Sequence, residues 1–199
     1  MNSGATAERV YDVLKHRLLS GTLMPGEKLE PTTLADELNS SATPVRDALH
    51  RLTGERLVET RASEGFHLPH IHEPALRDLY AWNAQLLRMM IRSWPRDVTA
   101  PSADDLPIDL ERATPAFFAL FAVRTGNIEF VAQIDAANDR LSAVRAAESH
   151  VLGSLEDELR ALAIDFDHGG SAALAKRVTA YHRRRTAAVP DIVRALYGA

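Results

Sequence analysis

Within the first 68 residues the apolar period changes once, from three-to-four to two, and few folds accommodate that order in so short a stretch. Val10, Val13, Leu14 and Leu18 recur at helical spacing, and Gly21 with Met24-Pro25-Gly26 ends the run in a turn. A short apolar element follows at Leu29. Leu34, Ala35 and Leu38 predict a second helix, with Thr32 or Thr33 as its cap. Asn39-Ser40-Ser41-Ala42 is a turn of small polar residues. A third helix starts at Ser41 or Thr43 and carries Pro44 in its first turn, where a missing N–H costs nothing. Its inner face is Val45, Ala48, Leu49 and Leu52. Leu57-Val58-Glu59-Thr60 and Phe66-His67-Leu68 then read as short strands, joined through Ala62-Ser63-Glu64-Gly65 with Gly65 free to take a positive φ. Helices followed by a hairpin, in this order, predict a winged helix-turn-helix over residues 1–69.

Residues 70–74 read as a linker. Beyond them, 75–199 is expected to be an all-helical bundle, so the fold class is mainly α. Helices are expected at about 75–94, 115–124, 128–150, 153–167, 171–185 and 188–197, with an irregular stretch at 95–112. Thr125-Gly126-Asn127, Gly153, Gly169-Gly170 and Pro190 punctuate them. The chain has no cysteine, which excludes disulfides and thiolate metal sites. No run of apolar residues is long enough to span a bilayer and no signal peptide is visible, so a cytoplasmic protein with no membrane partner is expected.

The composition is awkward for a polyanion partner. The formal net charge is -4, and residues 1–69 hold eight Lys/Arg against ten Asp/Glu. Any DNA affinity must come from a local patch and should be salt-sensitive. Residues 41–46, SATPVR, offer one. A reading helix needs short polar side chains and an Arg at its N-terminal turn. Ser41 and Thr43 can reach phosphates, and Arg46 can meet a phosphate or a guanine edge. The competing reading makes Ser41 or Thr43 a helix cap and Arg46 a solvated charge.

Residues 10–68 resemble the GntR family of bacterial regulators. The resemblance is carried by LLSGTLMPGEKL (18–29), Leu34-Ala35, SATPVRDAL (41–49), Leu52, Leu57-Val58 and Gly65. It implies a winged helix that reads double-stranded operator DNA as a homodimer, through Thr32, Thr33, Ser41, Ala42, Thr43, Arg46 and the wing glycine Gly65. Where the family places an Arg between the Ser and the Thr this chain has Ala42, where some members have an Arg early in the second helix it has Thr32, and the wing carries Glu64. The resemblance therefore implies an altered or weakened operator.

Residues 74–199 resemble the all-helical FCD effector domain of the same family, shortened at 95–112. Asp78-Leu79-Tyr80, FFALFAVRTGN (117–127) and GSAALAKRVTAYH (170–182) carry that resemblance. It implies a small-molecule effector and, in many members, a metal held by one Asp and three His. Those positions fall here on Thr114, Phe118, on or near Arg160, and His182, so the metal site is expected to be lost and no cofactor is expected. A pocket lined by Trp82, Asn83, Phe118, Phe121, Arg160, Tyr181 and His182 is expected, with Arg160 as an anchor for a carboxylate; the alternative is that the aromatic residues only fill the core. His70-x-His72 is read as surface histidines. Arg183-Arg184-Arg185 is read as a solvated or interface run, and Glu156-Asp157-Glu158 as solvent-facing and able to pair with it. No phosphate loop, serine-nucleophile motif or HExxH is present, so an enzyme is not expected. The competing function is a diverged winged-helix interaction module with weak or no operator binding.

Overall fold

A computed structural model describes residues 3–95, 102–103, 106–107 and 109–198, and the chain divides into two compact units, Met1–Ile71 and His72–Ala199. The first is a winged helix-turn-helix and the second is all helical.

The first unit runs α1 (Ser3–Leu19), β1 (Lys28–Leu29), α2 (Pro31–Glu37), α3 (Ala42–Gly54), β2 (Glu59–Arg61) and β3 (Gly65–His67). α3 has the clearest stripe: Val45, Ala48, Leu49 and Leu52 are buried at the spacing of one helical face. They meet Val10, Leu14 and Leu18 of α1 and Leu34 and Ala35 of α2 in one core. Val13, expected on that inner face, is 40% exposed, and Tyr11 turns inward in its place. The Tyr11 ring is amphipathic: Arg51 stacks 3.5 Å from its centre, and its hydroxyl donates to Glu55 at 2.6 Å. Thr32 and Thr33 do not cap α2. Glu30 holds the cap position and Pro31 the first helical one, where its fixed φ suits the helix and no N–H is missed.

The wing is a three-stranded antiparallel sheet of order β1-β3-β2, so the short element at Leu29 becomes an edge strand. Leu29 pairs with Phe66, and Phe66 pairs on its other side with Thr60. Two bonds extend the ladder beyond β1: Leu68 N–H donates to Glu27 O at 2.9 Å and Gly26 N–H donates to Leu68 O at 3.0 Å. Gly26 sits at φ +88, and a Cβ there would lie 2.2 Å from the His70 ring. Only glycine satisfies both constraints.

The second unit runs α4 (Glu73–Ser93), α5 (Leu110–Thr125), α6 (Ile128–Arg140), α7 (Ser142–Val151), α8 (Leu155–Asp167), α9 (Ser171–Ala187) and α10 (Val189–Leu196). α4 packs on α5, α6, α9 and α10, while α8 packs on α9. Phe117, Phe118, Phe121 and Phe166 are buried at its centre, each at an edge-to-face angle with a neighbour. α5 begins five residues before the expected start and carries Pro115 inside it. The lost backbone bond is tolerated because Ala113 and Leu110 extend the buried face. The Pro115 carbonyl is engaged from outside the helix, accepting from Asn138 Nδ2 at 3.1 Å. The single helix expected over 128–150 is two, α6 and α7, meeting at Leu141. Within the irregular stretch expected at 95–112, residues 96–101, 104–105 and 108 lie outside the described residues, and 110–112 belong to α5.

Gly26→Ala is expected to destabilise the first unit by about 2 kcal/mol, combining left-handed backbone strain with the ring clash. Adding His70→Ala should recover only the clash. Thermal unfolding of the two variants measures both parts, and full recovery in the double variant would show that backbone strain is negligible.

Candidate functional site

In the first unit the residues singled out from sequence lie in the first turns of α2 and α3 and at the start of β3 and, Ala42 apart, are exposed. α3 opens with Ser41 at the cap position, yet the Ser41 side chain makes no capping bond. Among the described residues the hydroxyls of Ser41 and Thr43 have no protein partner, and both residues are exposed. Ala42 is half-buried against the core as the first residue of α3. Thr32 and Thr33 are exposed in the first turn of α2. Gly65 starts β3 at φ +86, with open space where a side chain would stand. Ser63 of the same turn is also left-handed, at φ +64.

The charges of this unit are mostly neutralised internally. Lys15 pairs with Glu55, Arg17 with Glu37, Lys28 with Glu30, Arg51 with Glu8 and Arg61 with Glu59. Arg9 donates to the Leu38 carbonyl at 3.4 Å. Arg46 and Arg56 are different: both are exposed and, among the described residues, neither has a hydrogen bond or ion pair. The Arg46 charge is therefore available one turn into α3, on the helix that carries the free hydroxyl of Thr43.

In the second unit the expected pocket is only partly assembled. Phe118, Tyr181, His182 and Asn83 come together: the Phe118 ring lies 5.2 Å from Tyr181 and 6.2 Å from His182, and the Asn83 amide is 3.0 Å from His182 Nε2. Phe121 joins Phe117, Phe166 and Trp94 in the aromatic core. Trp82 does not point inward; it is 41% exposed, because the inner face of α4 is taken by Leu79, Tyr80, Asn83, Leu86 and Leu87. Arg160 is also outside. It lies on the exposed side of α8, paired one turn back with Asp157 at 2.9 Å, because the neighbouring Leu159 and Leu162 take the buried face.

His182 is buried, and burial pushes its pKa down to about 4, so it is neutral at pH 7. Its Nδ1 lies 2.8 Å from the Val178 carbonyl, which can only accept, so Nδ1 carries the proton. Nε2 must then accept, yet the atom 3.0 Å from it is Asn83 Oδ1, also an acceptor. The neutral ring is bonded there only with the Asn83 amide turned end for end, which also gives the otherwise unpartnered Nδ2 its bond. Both ring nitrogens are thus occupied. Phe118 fills the neighbouring position with an apolar ring, and among the described residues no group of three or more His, Asp or Glu converges. The residues present do not fit a metal.

The polar residues that do converge are ones the sequence reading passed over. Glu148 of α7 is buried and accepts from the Tyr80 hydroxyl at 2.6 Å and from Arg185 Nε at 2.8 Å. Arg185 also donates to Glu158 at 2.8 Å and lies 3.3 Å from the centre of the Tyr181 ring. Burial works against the Arg185 charge, and Tyr181 with the Glu148 and Glu158 carboxylates outweighs it, so its pKa is raised. Arg185 is 3% exposed, which corrects the solvated reading at that position, while Arg183 is exposed and Arg184 half-buried. Arg145, one turn before Glu148, is equally buried and donates to the Asn138 carbonyl at 3.1 Å and side-chain oxygen at 2.7 Å. A small cleft of about 30 Å³ opens beside this cluster. The signal was present in the sequence: Leu141, Val144, Arg145, Glu148 and Leu152 fall on a single helical face, and two of them are charged.

Residues 6–68 match the gntR family of bacterial regulatory proteins. The chain is similar to the HTH-type transcriptional regulator McbR of Escherichia coli, 30% identical over 108 residues, which are 54% of this chain and 49% of that protein. It is also similar to the Nta operon transcriptional regulator of Aminobacter aminovorans, 40% identical over 68 residues, 34% of this chain and 32% of that one. The matched stretch thus spans half or less of each relative. By structure it is similar to a GntR transcriptional regulator from Rhodococcus sp. RHA1, with TM-score 0.81, 15% identity, and 93% and 97% of the two chains covered. E. coli McbR gives TM-score 0.70 at 18% identity, with 95% and 98% covered. These likenesses show the fold: a winged helix-turn-helix followed by a helical domain. No helix among the described residues is long and apolar enough to cross a membrane.

Two measurements test the buried chemistry. Glu148→Gln should destabilise the second unit by about 3 kcal/mol, because it leaves Arg185 with one carboxylate fewer in a buried setting. The His182 pKa is lower folded than unfolded, so its contribution is complete above about pH 6.5 and is lost as pH falls toward 4. The thermal midpoint of the second unit should therefore fall across that window, and His182→Gln should flatten the slope. An unchanged slope in the variant would assign the pH dependence to other groups.

Proposed function

With residues 6–68 belonging to the gntR family of bacterial regulatory proteins, we propose that this chain is a transcriptional regulator that binds a pseudo-palindromic operator as a homodimer under the control of a small molecule. The observation that carries the reading is the N-terminal turn of α3, where Ser41, Thr43 and Arg46 stand exposed and uncommitted while the unit's other named cations, Arg56 apart, bond to its own carboxylates or carbonyls. A helix N-terminus adds its own N–H groups toward phosphate. The wing glycine Gly65, unobstructed at its tip, suits close approach to a groove.

Thr32 and Thr33 fit phosphate contacts at the start of α2, and Ala42 leaves a gap in the reading surface that an arginine would fill. With Glu64 on the wing, affinity is modest and strongly salt-dependent. A two-fold protein reads a two-fold site. Support for self-association comes from α4, which leaves Trp82 and Met89 41% and 42% exposed at a seven-residue interval along one face. The second unit acts without a metal or other cofactor, since Phe118 and the fully bonded His182 occupy that space. Like the regulators it resembles, the protein is not an enzyme.

Gel shifts with the DNA upstream of its own gene, at low and moderate salt, test this reading. Arg46→Ala is expected to weaken binding by about 1–3 kcal/mol, and Ala42→Arg to strengthen it by a comparable amount. Binding unaffected by both changes would remove α3 from the interface. No binding by any form would favour the interaction-module alternative, which the acidic balance and Glu64 support.

A further inference from the structure

α3 carries a second stripe opposite its buried one. Val45, Ala48, Leu49 and Leu52 face the core. Thr43, Arg46 and His50 are exposed at spacings of three and four, so they share one outward face. Arg51 lies on the flank toward α1, held by Glu8 and by the Tyr11 ring. Asp47, also exposed, falls between Arg51 and the stripe.

His50 differs from an ordinary surface histidine. Its ring packs against Phe66 of β3, with the centres 4.9 Å apart and the planes at 75°. Phe66 is itself buried in the core of the unit. An edge-to-face contact of this kind restrains the imidazole plane. The two ring nitrogens, however, bond to nothing in the fold: among the described residues neither has a hydrogen bond. A side chain with a fixed orientation and unused polar atoms loses little rotamer freedom when an outside partner arrives.

We infer that His50 is a base-reading residue, its imidazole N–H donating to the major-groove edge of a guanine. This rests on the DNA-binding reading above and extends the reading surface about two turns into α3. A neutral imidazole has one donor and one acceptor, and guanine N7 and O6 both accept in the major groove. The helix rises about 1.5 Å per residue, so His50 lies about 6 Å beyond Arg46 and meets a base pair roughly one or two steps away. Asp47 favours a base over a phosphate here. An exposed carboxylate three residues before His50 repels the phosphate backbone, whereas a base edge such as cytosine N4 can donate to it. Because Phe66 follows Gly65 in β3, the same ring contact ties the wing to the base preference of α3.

The test is selection by the full chain from a duplex DNA pool with a randomised core, followed by anisotropy titration of the selected duplex. His50→Phe keeps a ring on Phe66 and removes both nitrogens. It is expected to weaken binding to the wild-type duplex about fivefold to tenfold and to lose preference at one base pair per half-site. The thermal midpoint of the first unit should stay unchanged. His50→Ala should lose the same preference, and it decides if His50→Phe does not fold. A His50 that only packs on Phe66 gives the opposite pattern, with DNA binding kept by Phe and the midpoint lowered by Ala. The inference is overturned if His50→Phe selects the wild-type sequence with wild-type affinity. It is also overturned if binding weakens equally for every sequence, which makes His50 a phosphate contact. A wild-type chain that selects no sequence removes the DNA-binding reading as a whole, His50 included.

Discussion

Glu148 accepts from Tyr80 of α4 on one oxygen and from Arg185 of α9 on the other, and Arg185 continues to Glu158 of α8. Four helices of the second unit are thereby tied through two buried side chains. Neither charge would be tolerable there alone. Each makes the other possible, and the Tyr80 hydroxyl and the Tyr181 ring complete the shell.

The same arrangement separates two environments a few residues apart. Phe117, Phe118, Phe121 and Phe166 form a closed aromatic core, and His182 is neutral at its edge. On the other side of Tyr181 the lining turns ionic. Tyr181 is the boundary, with its ring against Phe118 and Arg185 and its edge on the cleft. A metal-based effector site would need three ligands on the His182 side.

The winged helix is governed by another economy of charge. The ion pairs of Lys15, Arg17, Lys28, Arg51 and Arg61 commit most of the unit's cations to its own carboxylates and leave Arg46 and Arg56 open. Composition suggested a poor DNA binder; the pairing pattern shows a small positive feature inside an acidic domain.

Local rules written along the chain determined a good deal. Val45, Ala48, Leu49 and Leu52 carry helical spacing, Pro44 marks the helix start, and Gly65 marks the wing turn, so the order of the first unit could be read directly. The all-helical character of the second half was equally legible, because its apolar spacing persists to the C-terminus. Tertiary structure alone decided which face each helix presents when two are plausible. It turned Tyr11 inward in place of Val13, left Trp82 and Arg160 in solvent, and buried Arg185 from a run of three arginines. The reason is that a periodic pattern identifies an apolar stripe, whereas a buried charge depends on a partner distant in sequence. Glu148 lies 37 residues from Arg185 and 68 from Tyr80, and nothing local to any of the three announces the others.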